Sequence, residues 1–274
     1  MDNIQIIDIP FFVNPVINIL VVFYHALSWL HIPYALGFSI ILLTVFVKLL
    51  MHPMNKKQLE MSKKMQELAP HMHKIKTKHK GDMRRQQEAT MALYREHSFN
   101  PAAGCLPMIL QMVVLLFGLY PALVKILMTD NVVSTVNSVL FFKGLSLTEP
   151  WAVDFFGLHL GKTPAELFGA FGVVLFLVPV ITGGLQFIQM KMMPTAAPVK
   201  KKPNEGPSQE ETMMAVQKQF MLFLPFFVGF ISWHFFIGLS LYWNTYTILG
   251  IIQQYKVSGL GDLEPWIAKL RRKQ

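Results

Sequence analysis

The sequence predicts an all-α polytopic membrane protein, and three observations carry that prediction. Of 274 residues, 53% are hydrophobic and only 15% are charged. The apolar residues stand in long blocks, not in amphipathic periods. The cations are segregated: of 25 Lys and Arg, 11 fall in residues 55–100, 5 in 191–218 and 5 in 256–274. Residues 1–33 carry none, and 128–164 carry only Lys143 and Lys162. Lys and Arg concentrate in cytoplasmic segments. The three basic segments are therefore expected inside, and the N-terminus and 128–164 outside. Five spans, N-terminus out and C-terminus in, satisfy every segment.

Other classes are disfavoured. The single Cys105 excludes an intramolecular disulfide framework and a multi-cysteine metal site. No Gly-rich phosphate loop, HExxH or GxSxG occurs, so no enzyme chemistry, metal or cofactor is expected. The net charge of +9 follows the loops and does not point to DNA.

In chain order, residues 1–33 form an outer segment. Its apolar stretch 11–31 lacks a basic n-region and a small-residue cleavage site, so it is not read as a signal peptide. It is expected as an interfacial helix with Trp29, His25 and His31 at headgroup level; an extra span is the competing reading. Residues 34–54 are the first span, ended by His52-Pro53. Residues 55–103 form a cytoplasmic helical hairpin. Met61, Met65, Leu68, Met72 and Ile75 recur at 4-3-4-3 spacing, a heptad seam. Pro70 is expected to kink or restart the first arm. The second arm, about 83–97, has Met83, Met91 and Tyr94 on its apolar side. Residues 104–127 are the second span, with Pro107 in its first turn. Residues 128–164 are the extracytoplasmic loop, with Trp151, Phe155 and Phe156 at the interface. Residues 165–190 are the third span, where Gly169, Gly172, Gly183 and Gly184 allow close packing. Residues 191–217 are a Pro-rich cytoplasmic loop. Residues 218–237 and 238–256 are the fourth and fifth spans, and 257–274 a basic cytoplasmic tail.

Lys48 is the anomaly. A cation at mid-helix costs roughly 2.5–3.5 kcal/mol on insertion scales. Snorkelling to the near, cytoplasmic end runs against the lean of helical side chains toward the N-terminus. The alternative is a cation facing a wet cavity between helices. Thr44, Gln111, Gln186, Gln189, Asn244, Thr245 and Thr247 lie in the spans and could line it. Beyond Glu166 at the very start of the third span, no span holds an acidic residue, so such a groove would attract anions or acidic peptide segments. The methionine seam suits an adaptable client-receiving surface. His71, His73, His79 and His97 lack carboxylate or cysteine partners at ligand spacing and are read as solvated.

Four ordered blocks resemble the YidC/Oxa/Alb insertase family over about residues 34–256. They are LTVFVKLLMHPMNKKQ with SKKMQELAP; MALYREHSFNPAAGCLPMILQMVVLLFGLY; FIQMKMMP; and GLSLYWNTYTILGIIQQ. The resemblance implies a five-helix transmembrane core enclosing a hydrophilic groove, with a cytoplasmic hairpin. The family usually carries an arginine in its first core span; this chain has Lys48 there. Gln189 and Trp243 match groove-lining positions. The implied function is insertion and folding of integral membrane proteins in the bacterial cytoplasmic membrane, without nucleotide hydrolysis or covalent chemistry. The implied partners are nascent membrane-protein clients and the lipid bilayer, with the ribosome and the Sec translocon as candidates. A small permease or channel, or a non-catalytic assembly scaffold, are the alternatives.

Overall fold

A computed structural model describes residues 9–79, 81–100, 109–193, 209–264 and 268–269. The chain divides into two compact units. One comprises Met1–Leu50, Ile109–Leu185 and Phe226–Leu249; the other comprises Met51–Met108, Gln186–Pro225 and Gly250–Gln274.

In the first unit, α1 (Pro10–Trp29) opens with proline at its first turn, where a missing N–H is tolerated. It packs most extensively on α2 (Ala35–Leu50). Val13, Ile17, Leu20 and Val21 of α1 join Leu36, Ile40 and Leu43 of α2 in one core. The third partner is α5 (Ile109–Leu127), which supplies Leu119, Leu123 and Ile126. Residues Val114–Leu119 of α5 are π-helical. Pro121 offers no N–H to the preceding turn, so the ladder widens there. Gly118 lies in that stretch, and a Cβ on it would touch Val16 and the Phe12 carbonyl of α1.

Segment 128–164 folds over α1. Asn18 donates to the carbonyls of Asn14 and Val139 and accepts from the Phe141 N–H. A short α6 (Val132–Asn137) precedes a two-residue antiparallel hairpin, β1 (Asp154–Phe155) and β2 (Leu158–His159). Two of the three aromatics expected at the interface turn inward. Trp151 is 4% exposed and meets Tyr24 edge-on at 5.3 Å. Phe155 fills the space that a Cβ on Gly37 of α2 would take, between Tyr34 and Phe38. Only Phe156 of the three is exposed.

Next come α7 (Pro164–Phe171), a 3-10 turn (Gly172–Phe176) and α8 (Leu177–Met192). Thr163 and Glu166 form a capping box that starts α7. Of the four glycines expected to pack, Gly183 does so: it meets Gly229, where a Cβ would lie 3.2 Å from the Gly183 Cα. Gly169 and Gly184 face open space, and Gly172 serves the turn with φ +59.

Helix α9 (Gln209–Ser232) begins within the segment expected to be loop through residue 217. The stretch QEETMMAVQK is rich in strong helix formers. A turn at Trp233–Phe236 leads to α10 (Ile237–Ser258). The turn is tied down: Ile237 N–H donates to the Lys162 carbonyl and Gly238 N–H to that of Leu160.

In the second unit, α3 (His52–Lys78) and α4 (Met83–Glu96) form a helical hairpin. Helix α3 runs through Pro70 as one element, without a restart. Asp82 caps α4 by accepting from the Arg85 N–H at 3.0 Å. Gln253 of α10 donates to the His52 carbonyl at 3.2 Å.

Among the described residues, three helical stretches are long and apolar enough to cross a membrane: Pro10–Trp29, Ile109–Leu127 and Pro164–Met192. Ala35–Leu50 reaches that length when taken with His52–Met65. The apolar part of α9, Leu222–Ser232, is shorter. Helix α10 is diluted by Ser240, Asn244, Thr245, Thr247, Gln253 and Gln254. The structure is thus mostly helical with several candidate spans. Pro107 and Cys105 lie outside the described residues.

Candidate functional site

The rotation of α2 decides where Lys48 points. Leu36, Ile40, Leu43 and Thr44 recur on its buried face, and Lys48 is one turn beyond Thr44 on the same face. Leu42, Phe46, Leu49 and Leu50 take the opposite, exposed face. The cation therefore faces protein: Lys48 is 9% exposed. Its Nζ lies over the ring of Tyr246 in α10, 3.8 Å from the centroid. Tyr246 is 7% exposed, and its ring stands 5.9 Å from that of Tyr242, one turn earlier. No carboxylate among the described residues lies within ion-pair distance of Lys48.

This contact accounts for much of the anomaly. A desolvated cation–π contact is worth about 2 kcal/mol or more, against roughly 2.5–3.5 kcal/mol for the cation at mid-helix. The ring face offsets most of that cost without any counter-ion.

The other expected polar residues fall into three groups. Thr44, Thr245 and Thr247 spend their hydroxyls on carbonyls one turn back in their own helices, those of Ile40, Leu241 and Trp243. Asn244 and Ser240, one turn apart on α10, keep buried side-chain oxygens without a hydrogen-bond partner among the described residues. Gln111 is half-buried in α5, and Trp243 packs toward Phe235 at 6.4 Å. Gln186 is buried and Gln189 half-buried in the part of α8 that belongs to the second unit. The structure thus brings Lys48 to Tyr246 of α10 within the first unit, with Thr44 buried on the same face of α2. Sequence reasoning missed Tyr246 and Tyr242. The one-turn spacing of Gly238, Tyr242 and Tyr246 was the available signal.

The hairpin seam is occupied by the hairpin itself. Leu68, Leu93 and Phe99 are buried, with Met61, Met65, Met72, Ile75 and Tyr94 against them. The Tyr94 hydroxyl donates to the Met72 sulfur at 3.6 Å. Met83 and Met91 do not share that packed side; they are 64% and 48% exposed. The packed side of α4 is made by Leu93 and Tyr94. His71 and His97 approach to 6.0 Å between ring centroids, and no group of three metal-binding side chains occurs among the described residues.

Residues 27–261 match the family described as 60Kd inner membrane protein. The chain belongs to this YidC/Oxa/Alb family. It is 33% identical over 253 residues to the chloroplastic inner membrane protein ALBINO3 of Arabidopsis thaliana, covering 87% of this chain and 50% of that one. It is 31% identical over 271 residues to the membrane protein insertase YidC of Caulobacter vibrioides, covering 96% of this chain and 39% of that one. The YidC of Maridesulfovibrio salexigens is 33% identical over 232 residues, or 84% and 36%. The chain spans half or less of the length of these relatives. The Lys48 ammonium is a compact charge without the planar donor fork of a guanidinium.

Proposed function

We propose that this chain is a membrane protein insertase and chaperone of a bacterial cytoplasmic membrane, with its N-terminus outside and C-terminus inside. A five-helix core built on α2, α5, α7–α8, α9 and α10 would enclose a hydrophilic groove with Lys48, Thr44, Gln111, Gln186, Gln189, Trp243 and Asn244 in its lining. The observation that carries this reading is Lys48 on the protein-facing side of α2, without a counter-ion among the described residues. An acidic extracytoplasmic segment of a client supplies the missing anion. Its apolar helix then passes into lipid along exposed side chains such as Val180, Phe226 and Phe230. Burial of that helix drives the process at roughly 25 cal/mol per Å² of apolar surface, and no nucleotide is consumed.

Helix α1 is long enough to span. Segment 128–164 nevertheless lines it from Asn18 through Tyr24 to His25, which pairs with the Leu145 carbonyl. That supports an outer, interfacial placement. The α3–α4 hairpin receives clients, with Met83 and Met91 as its open apolar contacts. The ribosome and the Sec translocon remain candidate partners.

The test replaces Lys48 by Met and by Arg and measures insertion of a single-span client with an acidic outer segment. Loss with Met and retention with Arg support the reading; insertion by Lys48→Met at the wild-type level refutes a role for the charge.

A further inference from the structure

The Tyr246 ring has a consequence beyond stabilising Lys48. An ammonium 3.8 Å from a ring centroid, in a pair where both residues are buried, already has a partner. A client group that engages Lys48 competes with this ring face for the ammonium. The cost of displacement is the same for every client, so what differs is what each client offers in return. A carboxylate offers a charge-assisted hydrogen bond, roughly twice as strong as a neutral one. An amide or hydroxyl offers only the neutral bond. We infer that Tyr246 determines client specificity: its ring covers Lys48 between insertion events and sets a threshold that client segments bearing a carboxylate pass and neutral polar segments do not. The inference rests on the insertase reading above.

The ring face carries this role, not the phenol hydroxyl. Tryptophan binds cations better than tyrosine, and an aliphatic side chain does not bind them. An acidic client that engages readily is limited by later steps, so removing the ring lifts the neutral client more.

The experiment uses the full chain in phospholipid vesicles and two single-span clients that differ by one outer residue, Asp or Asn. The quantity read is the ratio of Asn-client to Asp-client insertion. Tyr246→Leu is expected to raise that ratio about tenfold, and Tyr246→Trp to lower it. Tyr246→Phe keeps the ring face and leaves the ratio unmoved. A ratio unmoved by both Tyr246→Leu and Tyr246→Trp, or moved by Tyr246→Phe as far as by Tyr246→Leu, overturns the inference. If Tyr246→Leu does not fold, Tyr246→Trp against Tyr246→Phe decides. Wild-type protein that inserts the Asp client but shows no Tyr246 effect sinks this inference alone. Wild-type protein that inserts neither client above protein-free vesicles sinks the insertase reading with it.

Discussion

Helices α1 and α2 in the first unit and α3 and α4 in the second are both pairs joined by a short turn, yet they bury different amounts. Between α1, α2 and α5, side chains such as Ile17, Ile40 and Leu123 have no exposed surface. Between α3 and α4 only Leu68, Leu93 and Phe99 are buried, and the methionines around them are partly open. Three ion pairs of the hairpin, Lys56–Glu60, Arg84–Glu88 and Arg85–Asp82, are exposed. Exposed pairs contribute about 0–1 kcal/mol. The first pair of helices is thus a fixed wall. The second is held by a thin seam of flexible side chains, which suits arms that part and close around varied sequences.

The contrast can be broken at graded points. Leu123→Ala should have the largest effect, lowering stability by about 2–5 kcal/mol; a thermal melt in detergent would show it as loss of the whole fold. Leu68→Ala should cost about 2–3 kcal/mol, near the low end for such truncations because the site can collapse. Hydrogen exchange should confine its effect to α3 and α4; faster exchange in α1 and α2 as well would erase the distinction drawn above. Asp82→Ala removes the α4 cap and should cost about 1 kcal/mol, read as faster exchange at Met83–Gln86 and nowhere in the first unit. Met83→Ser with Met91→Ser should change stability by less than about 0.5 kcal/mol. The same double variant should weaken crosslinking of nascent chains to the hairpin, and undiminished crosslinking would move the receiving surface elsewhere.

Much of this architecture could be read from the chain. The seam from Met61 to Ile75 was legible because heptad spacing is a local property. So was the anomaly of Lys48, because a charge in an apolar block stands out from sequence alone. Its solution was not legible: Tyr246 lies 198 residues away, and only the relative rotation of α2 and α10 joins them. Met83 and Met91 misled because their chemistry matches the seam while their angular position does not. Trp151 and Phe155 misled for the opposite reason. Aromatics beside a membrane are expected at the headgroups, but Gly37 leaves a seat that one of them fills. The start of α9 at Gln209 was hidden by the proline-rich, charged residues before it.

The two backbone bonds to the Lys162 and Leu160 carbonyls pin the head of α10 and make it a fulcrum. Tyr246 lies eight residues past Gly238, about 12 Å along the axis. A tilt of about 5° at the fulcrum displaces the ring by about 1 Å at that distance, enough to uncover or reseat an ammonium held at 3.8 Å. The pinned end lies with segment 128–164 and the ring eight residues on meets the cation, so the length of helix between them sets how far any tilt would carry the ring.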